Sequence, residues 1–215
     1  MLFRKRAYDR TEILGAADRA RARGRRRKAI ALYRRILEQS PNDLAVLAKI
    51  APLLARARRK DEALASFRAA ADGQIKAGFP DRALSLELQA AQFYPEEYAL
   101  WDDVARIHVQ KGRRADAVAA LVDGASRLSR TPHLPVAAKV LKRALEIEPW
   151  QPDATLLLAR VFTRGGRREE ALAVLDGLAA RVRGKLLRRT RRLAFFIAPT
   201  PGALWRWMRA VLGRR

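Results

Sequence analysis

Residues 31–43 read ALYRRILEQSPND, residues 85–97 read SLELQAAQFYPEE, and residues 139–151 read KVLKRALEIEPWQ. Each string carries its proline at the same place, so Pro41, Pro95 and Pro149 stand 54 residues apart. Ala29, Ala83 and Ala137 keep that interval, as do Ala63, Ala117 and Ala171. A register held over three copies without a gap marks an internal repeat. Residues 24–77, 78–131 and 132–185 are therefore read as three 54-residue units, with a lead-in before and a tail after.

Each unit reads as helices. Between residues 114 and 128 the apolar positions are Ala117, Val118, Leu121, Val122, Ala125 and Leu128, which is helical spacing rather than alternation. Pro41, Pro95 and Pro149 stop helices, because a residue before proline avoids the α region. Gly24, Gly78, Gly112 and Gly166 mark turns that need positive φ. The spacing predicts helices near 10–23, 25–39, 44–57, 60–76, 80–94, 98–110, 114–129, 134–148, 153–164 and 167–183. Pro52 falls inside the third and is expected to kink it or unsettle its first half. The fold class is all-α: a solenoid of helical hairpins, each burying its apolar face on a neighbour.

Segments 10–43, 44–77, 98–131 and 152–185 fit a 34-residue pattern in part. The best copy has Trp101, Ala105, Gly112 and Ala117; the first has Gly24, Ala29, Tyr33 and Pro41. On these residues the chain resembles the tetratricopeptide-repeat family over residues 10–185. The resemblance implies partner binding along a groove lined by first-helix side chains, here Asp102, Arg106, Gln110, Arg160 and Arg164. The family's carboxylate-clamp variety needs Asn where Asp18, Pro52, Arg106 and Arg160 stand, so chaperone tails are not the expected ligand. The chain departs from the family in one respect. Helices 60–76 and 114–129 serve two overlapping repeats, giving three helices per unit instead of two.

Charge divides the chain into three. The net formal charge of +23 splits into +13 over residues 1–60, +1 over 61–184 and +9 over 185–215, where no acidic residue occurs. The basic string RGRRRKA (Arg23 to Ala29) lies in a predicted turn and has relatives in other turns. Stacked turns are expected to align Arg25, Arg26, Arg27, Arg59, Lys60, Arg113, Arg114, Arg167 and Arg168 as a basic ridge. Solvated charge on an Arg-rich surface explains the same residues more simply. Central aromatics, Phe93, Tyr94, Tyr98, Trp101 and Trp150, are read as core.

The tail, residues 186–215, reads as two helices separated by PTPG. Residues 186–197 place Leu186, Thr190, Leu193, Ala194 and Ile197 on one stripe and suit a solenoid cap. In the second helix Leu204, Trp205, Trp207, Met208, Val211 and Leu212 share one face, with Arg206 and Arg209 beside it. Such a basic amphipathic helix fits a membrane interface, a partner or its own solenoid.

The chain has no cysteine and two histidines, His108 and His133, neither with carboxylates at metal-ligand spacing. No catalytic constellation, cofactor or metal is expected, and His108 reads as a core residue. The start, MLFRKRAYDR, lacks the apolar stretch of a secretory signal, and no apolar run approaches membrane-spanning length. The expectation is a cytoplasmic, non-enzymatic scaffold. It has a basic arm at residues 1–9, a solenoid at 10–185, a protein partner offering an acidic segment, and peripheral attachment to an anionic membrane face. The alternative is a nucleic-acid binder that uses the ridge and arm.

Overall fold

The computed structural model describes residues 9–130 and 132–212, which form twelve α-helices and no strand. They are α1 (Arg10–Ala22), α2 (Arg26–Leu37), α3 (Leu44–Arg56), α4 (Lys60–Lys76), α5 (Pro80–Phe93), α6 (Tyr98–Gln110), α7 (Arg114–Leu128), α8 (Leu134–Ile147), α9 (Pro152–Arg164), α10 (Arg168–Ala179), α11 (Gly184–Ile197) and α12 (Pro201–Leu212). The sequence-predicted arm falls on residues outside the description, except for Asp9. That residue caps α1, its carboxylate accepting from the backbone N–H of Thr11 and Glu12 at 2.8 and 3.1 Å. The last predicted solenoid helix is shorter than expected: α10 ends at Ala179, and α11 starts after a turn at 180–183.

The helices divide into two compact units, α1–α5 and α6–α12. In each, successive helices pack as antiparallel hairpins and also touch the next helix but one, as α3 does α5, α6 does α8 and α7 does α9. Five turns share one closure. The N–H of Arg25, Arg59, Phe79, Arg113 and Arg167 donates to the carbonyl five residues earlier (Ala20, Leu54, Gln74, His108 and Phe162) at 2.8–3.0 Å. This bond needs a left-handed residue just before the donor. Gly24, Gly78, Gly112 and Gly166 supply it with φ of 69–81°, but in the α3–α4 turn it is Arg58, at φ 60°.

In unit 1 a half-buried polar network ties three helices. Tyr33 of α2, fully buried, donates its hydroxyl to Asp18 of α1 at 2.6 Å, and Lys49 of α3 donates to the other Asp18 oxygen at 2.7 Å. Helix α3 runs unbroken through Pro52, contrary to the expected disruption of its first half. Its buried face of Val46, Leu47, Ile50, Ala51, Leu53 and Leu54 outweighs the hydrogen bond that proline removes.

In unit 2 the hairpins close around glycine. Trp101 of α6 is buried at 3 % exposure, and its Nε1 donates to the Pro95 carbonyl at 2.9 Å. A methyl on Gly124 of α7 would lie 2.5 Å from the Trp101 ring. Trp150 makes a similar approach to Gly177 of α10, with φ 65° and the Arg181 guanidinium 3.9 Å from its ring centroid. Its 40 % exposure corrects the reading of Trp150 as core: it covers α10 from outside. His108, by contrast, is buried as expected.

Two outcomes follow for stability. Gly124→Ala should destabilise by about 1–3 kcal/mol, because Trp101 has nowhere to move. Gly177→Ala should be neutral or gain up to about 1 kcal/mol in helix propensity as the exposed Trp150 swings away; chemical denaturation of both variants separates the cases. Burial alone would raise the Asp18 carboxyl, but hydrogen bonds from Lys49 and Tyr33, with the Lys49 and Arg21 charges, hold it below the usual carboxylate value. A folded pKa below the unfolded one stabilises fully above about pH 4 and is lost as pH falls through the folded value. The gap in thermal midpoint between the native chain and Asp18→Asn should therefore narrow on acidification.

Candidate interaction site

The predicted ridge divides when its residues are placed. In unit 1 the α1–α2 and α3–α4 turns share an edge, because two helices separate them and the chain returns to the same end. Arg26 bridges them, its Nη1 donating to the Arg56 carbonyl at 3.0 Å. Arg25, Arg26, Arg27 and Lys28 line one open groove with Gly24 and Ala57, and Arg59 and Lys60 follow at the neighbouring turn. Arg59 pairs with Glu62 at 2.7 Å. The side chains of Arg25, Arg27, Lys28 and Arg58 are exposed, and none has a hydrogen-bond or ion-pair partner among the described residues. Helix α2 also has no acidic residue in its first turn, whereas α4, α7 and α10 each have at least one. Positive charge and the positive helix end therefore coincide at this edge.

In unit 2 the equivalent turns do not meet. Arg114 donates to the Ile147 carbonyl, placing the α6–α7 turn beside the end of α8. Arg164 Nη1 donates to the Ser129 carbonyl at 2.6 Å, placing the α9–α10 turn beside the end of α7. Three helices separate the two turns, and an odd number of reversals puts Arg113 and Arg114 at one end and Arg167 and Arg168 at the other. The single aligned ridge is corrected accordingly. Arg167 is further occupied by Glu170, whose carboxyl its hydrogen bonds hold low.

The predicted groove residues also separate. Asp102 accepts from Arg143 of α8 at 2.7 Å and Arg106 pairs with Asp103 at 2.5 Å, both on the α6–α8 side. Gln110 lies exposed at the end of α6. Arg160 and Arg164 belong to α9, which packs on α7, and Arg164 caps the α7 end.

The tail forms the most distinctive surface. Helix α11 packs on α10 and α12 through buried Thr190, Ala194 and Ile197, part of the predicted stripe. Thr200 caps α12, its hydroxyl accepting from Ala203 N at 3.1 Å. The six predicted apolar residues of α12 do not act together. Trp207 turns to α11, with its ring 5.6 Å from Phe195 at 25° and 6.4 Å from Phe196. Leu204, Trp205, Met208, Val211 and Leu212 stay outward, with Trp205 60 % and Leu212 70 % exposed. Arg209 stands 5.3 Å from the Trp205 ring centroid, and Arg206 is exposed on the same helix. No described helix is long and apolar enough to cross a membrane, and no three His, Cys, Asp or Glu side chains among the described residues could hold a metal ion.

Residues 134–189, from α8 into α11, match the model of the tetratricopeptide repeat. In this segment the chain carries a tetratricopeptide repeat. Its solved likenesses include a Podosopora anserina protein of nearly identical TPR-like repeats, at 15 % identity over 95 % of this chain and 96 % of that one, with TM-score 0.42. Others are YrrB, described as a TPR protein with an unusual peptide-binding site (15 % identity, 92 % and 90 % covered, TM-score 0.33), and a thermophilic TPR protein of Thermus thermophilus (19 %, 94 % and 98 %, TM-score 0.27). No curated protein matches the chain in sequence.

The tetratricopeptide match ends within α11 and does not include the Trp-rich α12. Sequence reasoning missed Arg58 as an unusual cation. The signal was present: Arg58 stands 54 residues before Gly112 and 108 before Gly166, in the place of a turn glycine. A left-handed non-glycine residue costs on the order of 1 kcal/mol. Arg58→Gly should raise stability by about that amount in urea denaturation.

Proposed function

We propose that this chain is a tetratricopeptide-repeat solenoid acting as a non-enzymatic protein–protein interaction scaffold, held on the anionic inner face of a membrane by α11 and α12. The observation that carries the membrane part is the outer arc of α12: Leu204, Trp205, Met208, Val211 and Leu212 exposed together on a helix bearing Arg206 and Arg209. Apolar side chains on such a helix insert at the level of the headgroups, while cations draw it to anionic lipid. Seven basic and no acidic residues lie between 185 and 212, and each cation near such a surface contributes about 1 kcal/mol. The partner is an acidic protein segment. It would lie against the unit 1 edge at Arg25, Arg27, Arg58 and Arg59, with Asp102, Arg106, Gln110, Arg160 and Arg164 as further contact positions.

A nucleic-acid reading rests on the same unit 1 edge, where four unpaired cations sit at the start of α2 and the α3–α4 turn. Phosphate contacts there would give affinity that falls steeply with salt and ignores sequence. That reading leaves the apolar arc of α12 without a role.

Sedimentation with liposomes separates the two. The full chain should pellet with anionic and not with neutral vesicles, less so at high salt, and a chain ending at Gly184 should stay in the supernatant. Retention of anionic-vesicle binding by the truncated chain would remove the role given to α11 and α12.

A further inference from the structure

Five of the cations in the tail lie on α11, and they divide sharply. Arg191 faces inward, its Nη1 bonded to Asp176 of α10 at 2.5 Å. Lys185, Arg188, Arg189 and Arg192 lie at i, i+3, i+4 and i+7, which is one helical face. They line an open groove of about 550 Å³ whose other wall is Trp207 and Val211 of α12. Lys185, Arg188 and Arg192 have no hydrogen-bond or ion-pair partner among the described residues, and Arg189 has only a 3.8 Å approach to the exposed Asp153. Like charges at this spacing repel within a helix, so the fold gains nothing from collecting them.

Two features of the groove specify an occupant. Its cations extend along roughly 10 Å of helix axis at 1.5 Å per residue, longer than one phosphate can engage at once. Its second wall is continuous with the outward apolar arc of α12 through Val211. A ligand that fills both carries more than one phosphate and is joined to hydrocarbon. We propose that the α11–α12 groove binds the headgroup of a membrane lipid bearing two phosphates, one toward Lys185 and Arg188 and the other toward Arg189 and Arg192. This rests on the membrane reading above and adds a headgroup preference to it. Guanidinium groups suit the site because their planar donor fork matches phosphate oxygens.

The test uses the full chain and two vesicle sets of equal surface charge, one with a monophosphate anionic lipid and one with a diphosphate lipid, in a neutral background. The expected result is about tenfold tighter binding to the diphosphate vesicles, lost in Arg188→Ala/Arg192→Ala while binding to monophosphate vesicles persists through α12. Circular dichroism checks that the double variant keeps its helices, and Lys185→Ala, away from the α10 contact, serves as a second variant with the same expected direction. Equal binding to both vesicle sets, or a preference that survives in both variants, overturns the headgroup proposal and leaves the membrane reading standing. Binding to neither set overturns both and assigns the groove to an acidic protein segment. Inorganic pyrophosphate bound as tightly as the vesicles would assign it to a soluble diphosphate and overturn the lipid source.

Discussion

Five turns of this chain are closed by the same backbone bond, from the residue after a left-handed position to the carbonyl five residues before it. That bond ends one helix and starts the next within three residues, so each helix folds back on its predecessor. Within each unit successive helices pack in alternating direction, and there the count of helices between two turns decides whether their side chains can meet. Two helices separate the α1–α2 turn from the α3–α4 turn, and their arginines share an edge. Three separate the α6–α7 turn from the α9–α10 turn, and theirs do not. The distribution of charge over each unit is a consequence of this parity.

Most of the helical architecture was legible because it rests on local chemistry. Prolines at 41, 95 and 149 follow helix ends, turn glycines take positive φ, and apolar spacing placed the first nine helices to within about two residues of their ends. What failed depended on packing. Pro52 reads in isolation as a kink or an unsettled first half, and the first half of α3 is helical, carried by a buried apolar face. Trp150 reads as core by its size, yet it closes over Gly177 from the solvent side. The apolar stripe of α12 reads as one surface on a helical wheel, but Phe195 and Phe196 draw Trp207 to α11 and leave its neighbours outside. The ridge failed for a different reason: periodicity reports equivalent positions, and equivalence with an odd number of helices per repeat means opposite ends.

The cations then sort by what they bond. Arg26, Arg114 and Arg164 donate to carbonyls at helix ends, where they satisfy groups that the helices leave open. Arg59, Arg106 and Arg167 pair with nearby carboxylates. Among the cations without such a partner, two groups stand together, the unit 1 edge around Arg25 and Arg58 and the open face of α11. At the first, a left-handed arginine stands where every equivalent turn has glycine. At the second, four cations border an apolar surface that stays exposed among the described residues. Both arrangements cost stability in the isolated protein, which is the expected mark of surfaces kept for something else.

The outward face of α12 is the decisive one, and Trp205 reports on it directly. With Trp150 and Trp207 replaced by Phe, the emission of Trp205 can be followed over the constant signal of buried Trp101 while anionic vesicles with bromine-labelled acyl chains are added. Insertion of the arc predicts a blue shift together with quenching by the acyl bromines. An emission maximum that stays at its aqueous position, without quenching, would contradict a membrane role for α12.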